Sequence, residues 1–89
     1  VFYYKTADNL EVDFIVREGS SIVLLIQVTE SLKEPKTRER EYKALTQAMK
    51  ELHVEKGLIL TQEEEDRDPE FPEIAVEAIY RWLLTSGSG

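Results

Sequence analysis

The chain has no cysteine, which excludes disulfides and thiolate metal sites. It has one histidine, His53. A lone imidazole leaves no nitrogen-rich metal site, and no serine-histidine-acid spacing exists for a nucleophilic triad. No apolar run approaches the ~20 residues that cross a bilayer, and the N-terminus does not read as a signal peptide. No Gly-x-x-x-x-Gly-Lys occurs, so the chain itself holds no P-loop. Positive charge is scarce. Lys and Arg number 11 against 18 Asp and Glu, a formal net charge of −7. That balance favours solubility and repels nucleic acid at long range. Nothing repeats internally.

What is present is one small domain, residues 1–84, within 89 residues. The remaining 85–89, ending Ser86-Gly-Ser-Gly89, have the composition of a flexible linker. The opening at Val1, directly into a β-prone run, reads as a cut within a larger protein or as a designed start. The absence of cysteine fits a reducing compartment, and the expected location is cytoplasmic.

Phe2–Lys5 is aromatic and β-prone. Ala7-Asp-Asn-Leu10 supplies a turn, and Glu11–Arg17 completes a hairpin. Period 2 puts Val12, Phe14 and Val16 on one face, with Asp13 and Ile15 on the other. After the Glu18-Gly-Ser-Ser21 turn comes Ile22–Thr29, apolar enough for a strand covered on both sides. Val23, Leu25, Gln27 and Thr29 share one face there, and Ile22, Leu24, Ile26 and Val28 share the other.

Pro35 suits a first helical turn. Tyr42, Leu45, Ala48, Met49 and Leu52 then form one apolar stripe, so a helix is expected to end near His53. Lys56-Gly57 punctuates, and Leu58–Thr61 is a short strand. Strand, helix, strand implies a right-handed crossover with parallel strands. Gln62–Pro72 is strongly acidic and reads as a solvated, mobile excursion. Glu73–Glu77 reads as a last strand and Ile79–Leu84 as a short terminal helix. A single helix over Glu73–Leu84 is the alternative. The fold class expected is α/β, a mixed sheet in the order β-β-β-α-β-β with a short terminal α.

Asp13, Gln27 and Thr29 are the candidate site. A metal-dependent nuclease holds magnesium with acidic oxygens on adjacent strands and sets a cation beside the attacking water. A recurring arrangement is Asp on one strand and Glu-x-Lys on the next. Asp13 followed by Gln27-Val-Thr29 has that spacing. Glutamine is a neutral and weaker ligand, however, and threonine supplies no positive charge. Asp13 and Gln27 are the metal ligands only if the site is active. The plainer reading has Asp13 hydrogen-bonded near a strand end, with Gln27 and Thr29 as ordinary strand polars.

The segments Phe2-Tyr-Tyr-Lys-Thr6, Glu11-Val-Asp-Phe-Ile-Val16, Leu25-Ile-Gln-Val28, Glu34–Glu41 with Ala44-Leu45, and Tyr80-Arg-Trp-Leu-Leu84 together resemble one family. It is the C-terminal domain of unknown function that follows the P-loop module in archaeal-type AAA ATPases. That domain is similar to the PD-(D/E)xK nuclease fold of restriction endonucleases. The resemblance implies a restriction-endonuclease-like core, with the motif Asp at Asp13, the Glu position at Gln27 and the Lys position at Thr29. It implies a degenerate site, hence no enzyme and no cofactor. A magnesium-dependent DNA nuclease is the alternative, and a designed scaffold without activity is a third reading.

Lys33, Lys36, Arg38, Arg40 and Lys43 are the one basic cluster and the candidate nucleic-acid contact, although Glu34, Glu39 and Glu41 interleave with it. Nucleic acid is an expected partner only in a full-length parent. The expected function is a non-catalytic folding or interaction module. Strands this apolar need cover on both faces. Unless Ile79–Leu84 covers the second, the chain is expected to self-associate as a homodimer.

Overall fold

The computed structural model describes residues 4–63 and 65–87, with side chains through Leu84. Eight elements follow in chain order: β1 (Tyr4–Lys5), β2 (Glu11–Val12), β3 (Phe14–Glu18), β4 (Ser21–Val28), α1 (Pro35–Leu52), β5 (Gly57–Thr61), β6 (Ile74–Ala78) and α2 (Ile79–Gly87). This is the mixed α/β order that the residue patterns predict. Phe2 and Tyr3 of the expected first strand lie outside the described residues.

β1 and β2 form a separate two-stranded antiparallel ribbon. The main sheet has the order β3-β4-β5-β6. β3 and β4 are antiparallel, whereas β5 runs parallel to β4 and β6 parallel to β5. The parallel β4–β5 pair is the one that the strand-helix-strand spacing demands, because a parallel return requires a crossover. α1 supplies it. Pro35 opens the helix, and His53 closes it in the left-handed conformation (φ 57°).

Two clusters fill the faces of the sheet. On the α1 side Val12, Leu25, Leu45, Ala48, Ile59 and Ile74 are fully buried. On the other side Ile26, Leu58 and Leu60 meet Phe14, Leu24, Ile79 and Trp82. β5 is buried along its whole length because it is central and covered on both faces. α2 lies against the second face, and its inner residues are Ile79 and Trp82. The strand β6 precedes it, so the single helix over Glu73–Leu84 is not formed. α2 runs on through Gly87, past the expected start of the linker at Thr85.

Strict alternation fails twice, each time for a local reason. The expected continuous strand Glu11–Arg17 breaks at Asp13, which forms a bend between β2 and β3. Val12 and Ile15 therefore both face the α1 side, and Phe14 faces the other. The register then slips between Val16 and Arg17: Val16 pairs with Leu24 and Arg17 with Ile22, which leaves Val23 as an extra residue. This bulge turns Ile22 to the α1 side, away from the face it was expected to share with Leu24.

The acidic segment after β5 is anchored and is not the free excursion its composition suggests. The Glu65 carboxylate accepts the Leu32 N–H with both oxygens, at 3.0 and 3.1 Å. Asp68 pairs with Arg38 at 2.8 Å, and Phe71 lies 4.8 Å from the Tyr42 ring. At the far end of α1, Glu51 straps the ribbon to the helix. It accepts the Tyr4 hydroxyl at 2.6 Å and the Ala7 N–H at 2.9 Å.

Gly57 shows how closely α1 sits on the sheet. A Cβ there would fall 2.9 Å from both Leu45 Cδ2 and Met49 Sδ. Gly57→Ala is expected to cost about 1–3 kcal/mol through overpacking. Urea unfolding with an unchanged m-value is the check, and a neutral result would mean that the helix stands off from β5.

Candidate functional site

Gln27 is the centre of the candidate site. It sits on β4, by strand alternation on the α1 face with Leu25, and is 1% exposed. A buried primary amide must satisfy both its ends. Its Oε1 accepts the Asp13 N–H at 2.9 Å, and its Nε2 donates to the Glu11 C=O at 2.9 Å. These are main-chain groups on either side of Val12, at the bend where ladder pairing lapses. Gln27 thus replaces ladder hydrogen bonds that the bend removes.

Asp13 completes the exchange in the opposite direction. Its Oδ2 accepts the Val28 N–H at 2.8 Å. The Asp13 and Gln27 side chains therefore cross the gap between the bend and β4 reciprocally, each bonding the other strand's backbone. The structure brings these two expected site residues together.

Thr29 is not part of that exchange. Its N–H bonds the Leu60 C=O at 2.9 Å, and its hydroxyl lies 3.5 Å from the Ser31 carbonyl oxygen. Its side chain makes no hydrogen bond to Asp13 or Gln27. Instead Thr29 helps line a depression of about 480 Å³ with Thr61, Gln62 and Ile79, beyond the C-terminal ends of β4 and β5.

Glu41 is the residue that sequence reasoning missed. It lies on α1, is 9% exposed, and faces the Asp13 region. Burial pushes its carboxyl above the usual range; Arg40, 3.9 Å away, opposes this, and the Asp13 charge adds to it. A signal was available. Glu41 falls four residues before Leu45 and seven before Ala48, on the apolar stripe itself.

The basic cluster is divided. Arg38 turns toward the acidic segment, bonds Asp68 and lies 5.4 Å over the Tyr42 ring. Its charge is thereby committed, and the pair holds the Asp68 carboxyl below its ordinary range. Lys36, Arg40 and Lys43 share the outer side of α1 with Glu39, beside Leu10. Lys33 is exposed in the loop before α1.

The oxygens near Asp13 bear on whether a magnesium ion could be held there. A hard cation needs several anionic oxygens in an open cluster. Gln27 has both amide ends bonded to backbone, and Asp13 has one oxygen bonded to Val28. No group of three or more His, Cys, Asp or Glu is placed to hold a metal among the described residues. The Gln27 oxygen and one Asp13 oxygen are thus already engaged by main-chain N–H groups. No helix among the described residues is long and apolar enough to cross a membrane. No family model, curated protein or solved structure matches the chain.

Glu41 also yields a pH prediction. Its folded pKa is raised above the unfolded value, so its stabilising form is the protonated one. That contribution is present below the ordinary glutamate pKa and is lost as pH rises through the raised value. Glu41→Gln is expected to be more stable than the parent at neutral pH, with the difference vanishing in acid. Thermal unfolding at pH 7 and pH 4 measures it; a Glu41→Gln protein less stable at pH 7 would refute the assignment.

Proposed function

We propose that the chain is a non-catalytic interaction module built on a nuclease-like sheet, of the kind that accompanies an ATPase module. A cytoplasmic setting and the absence of a bound cofactor belong to this reading. One observation carries it: the buried Gln27 amide is bonded to main chain at both its ends. A residue that ligates a metal must present a free lone pair to an open coordination position. The Gln27 oxygen already accepts the Asp13 N–H and the residue is 1% exposed, so the lone pair it keeps has no open coordination position beside it.

Two further features support the reading. Thr29 cannot supply the cation that steadies an attacking water in the Asp, Glu-x-Lys arrangement. The net charge of −7 disfavours approach of a phosphate backbone, and Arg38, the most central of the cationic residues, is already paired. What was a cleft for chemistry serves as a hydrogen-bonded seam that holds β2, β3 and β4 together.

A magnesium-dependent nuclease is the second reading. The observation favouring it is that Glu41 brings another carboxylate toward Asp13. Cleavage of branched and single-stranded DNA with magnesium, compared with Asp13→Ala, separates the two readings. No difference between the proteins is expected.

Gln27→Glu gives a second readout that needs no substrate. It restores the acidic residue of the motif but removes the donor to the Glu11 carbonyl. It also buries a charge beside Asp13. A loss of at least about 1–3 kcal/mol is expected, with no recovery on adding magnesium. A Gln27→Glu protein that magnesium restabilises would establish the nuclease reading instead.

A further inference from the structure

Two hollows meet on the outer side of α1. The larger, of about 490 Å³, lies between the helix and the acidic segment, with Pro35, Arg38, Tyr42, Lys43, Thr46 and Phe71 in its lining. The smaller, of about 300 Å³, lies toward the ribbon beside Leu10, where Lys36, Arg40 and Lys43 surround Glu39. Glu39 and Lys43 belong to both hollows, so the two run together along the helix. One end of this groove is largely apolar and the other is basic.

Cations are concentrated here in an otherwise acidic chain. Lys36, Arg40 and Lys43 stand against the single Glu39 carboxylate, whereas the whole chain carries −7. All three cations are exposed. Lys36 and Lys43 make no ion pair among the described residues, and Arg40 has only the Glu41 carboxylate at 3.9 Å. Separated by seven positions, Lys36 and Lys43 lie on one side of the helix about 10 Å apart. An extended chain covers about 10 Å in three residues.

The chain itself shows how such a surface is engaged. Asp68 pairs with Arg38 at 2.8 Å, and Phe71, three residues on, packs 4.8 Å from the Tyr42 ring. A carboxylate and an apolar ring on one extended segment thus hold one turn of α1. The adjoining surface repeats the combination, with Lys36 and Lys43 beside an apolar hollow.

We propose that this groove docks an acidic peptide segment of a partner protein. Two carboxylates three residues apart meet Lys36 and Lys43, and an apolar side chain between them enters the hollow beside Phe71. A nucleic acid is a poorer occupant. Tyr42 is 3% exposed and lies against Phe71 and Arg38, so it offers bases no stacking platform. A peptide can also step its charges around Glu39, which a continuous phosphate backbone cannot.

The inference rests on the interaction-module reading and names its partner. Cleavage and magnesium assays judge that reading, whereas peptide binding judges this surface. The probe is acetyl-Gly-Asp-Phe-Leu-Asp-Gly-amide, titrated into the full chain by NMR. Saturable binding is expected, weakening in high salt, with amide shifts confined to residues 35–47 and the neighbouring 68–71. Replacing the two Asp by Asn, or Phe-Leu by Gly-Gly, is expected to remove most of the affinity. The double variant Lys36→Glu, Lys43→Glu is expected to raise the dissociation constant about tenfold or more. The fold is not at risk, because both positions are exposed and an acid in the first turn suits the helix dipole. Lys50→Glu with Lys56→Glu makes the same charge change on exposed residues outside the groove, and is expected to leave binding within about twofold. No saturable binding at millimolar peptide overturns the proposal. So does binding that withstands the Lys36, Lys43 variant, or that the control variant weakens equally. An oligothymidylate that binds the same residues more tightly than the peptide also overturns it.

Discussion

The reciprocal exchange between Asp13 and Gln27 is the constraint on which the rest of the structure depends. A five-residue stretch, Glu11 to Ile15, has to change sheets. Its first part pairs with β1 and its second with β4. A strand that changes partners leaves main-chain groups unpaired at the corner, and each costs about 1–3 kcal/mol if buried without a partner. Gln27 satisfies two of them, and the Asp13 carboxylate satisfies a third on β4. With the corner sealed, Val12 can be fully buried beneath α1 while Phe14 packs on the opposite face. The ribbon and the main sheet can then share one core.

The same exchange explains why an amide serves here where a carboxylate would not. The position requires one acceptor for an N–H and one donor for a C=O. Glutamine offers both on a single planar group, and glutamate at neutral pH offers only acceptors. An amide is therefore the group that the corner needs. The neighbouring Glu41 reinforces this, since its carboxyl is already held above its usual range by burial and by Asp13. A third carboxylate at Gln27 would crowd negative charge beside Asp13 and Glu41, which Arg40, 3.9 Å from Glu41, already has to offset.

Much of the fold was legible in the sequence, because the longer elements carry their own period. The apolar run of β4, the stripe of α1 and the buried β5 fix a crossover, and the crossover fixes the parallel pairing. The strand-then-helix reading of the C-terminal segment also held, with β6 β-branched and α2 beginning at Ile79. The corner at Asp13 was not legible, because Glu11–Arg17 alternates well enough to pass for one strand and the break depends on which neighbour each half pairs with. The bulge at Val23 is hidden for the same reason: Ile22–Ile26 is apolar throughout, and a slip leaves no mark in such a run. Asp13 and Gln27 were read as a pair from spacing alone. That their partners are main-chain groups depends on geometry that spacing does not carry.

The acidity of the chain has a structural side that composition conceals. Several carboxylates accept main-chain N–H groups at places where the ladder or helix pattern lapses. Glu51 takes Ala7, Glu65 takes Leu32, Asp68 takes Glu70, and Asp13 takes Val28. These are charge-assisted bonds, stronger than neutral ones, and they pin loops in a protein with few glycines and prolines to shape its turns. Tyr4, Gln47 and Ala7 hold the Glu51 carboxyl below its ordinary range, and Arg38 does so for Asp68. Their support is therefore complete above the ordinary carboxylate pKa and fades as pH falls through the lowered values. Glu41 works in the opposite sense, relieved by the same protonation. Acid thus loosens the ribbon and the acidic segment at the margins of α1 while it relaxes the charge beside Asp13. The two Gln27 amide bonds at the corner, which involve no titrating group, should outlast the straps around them.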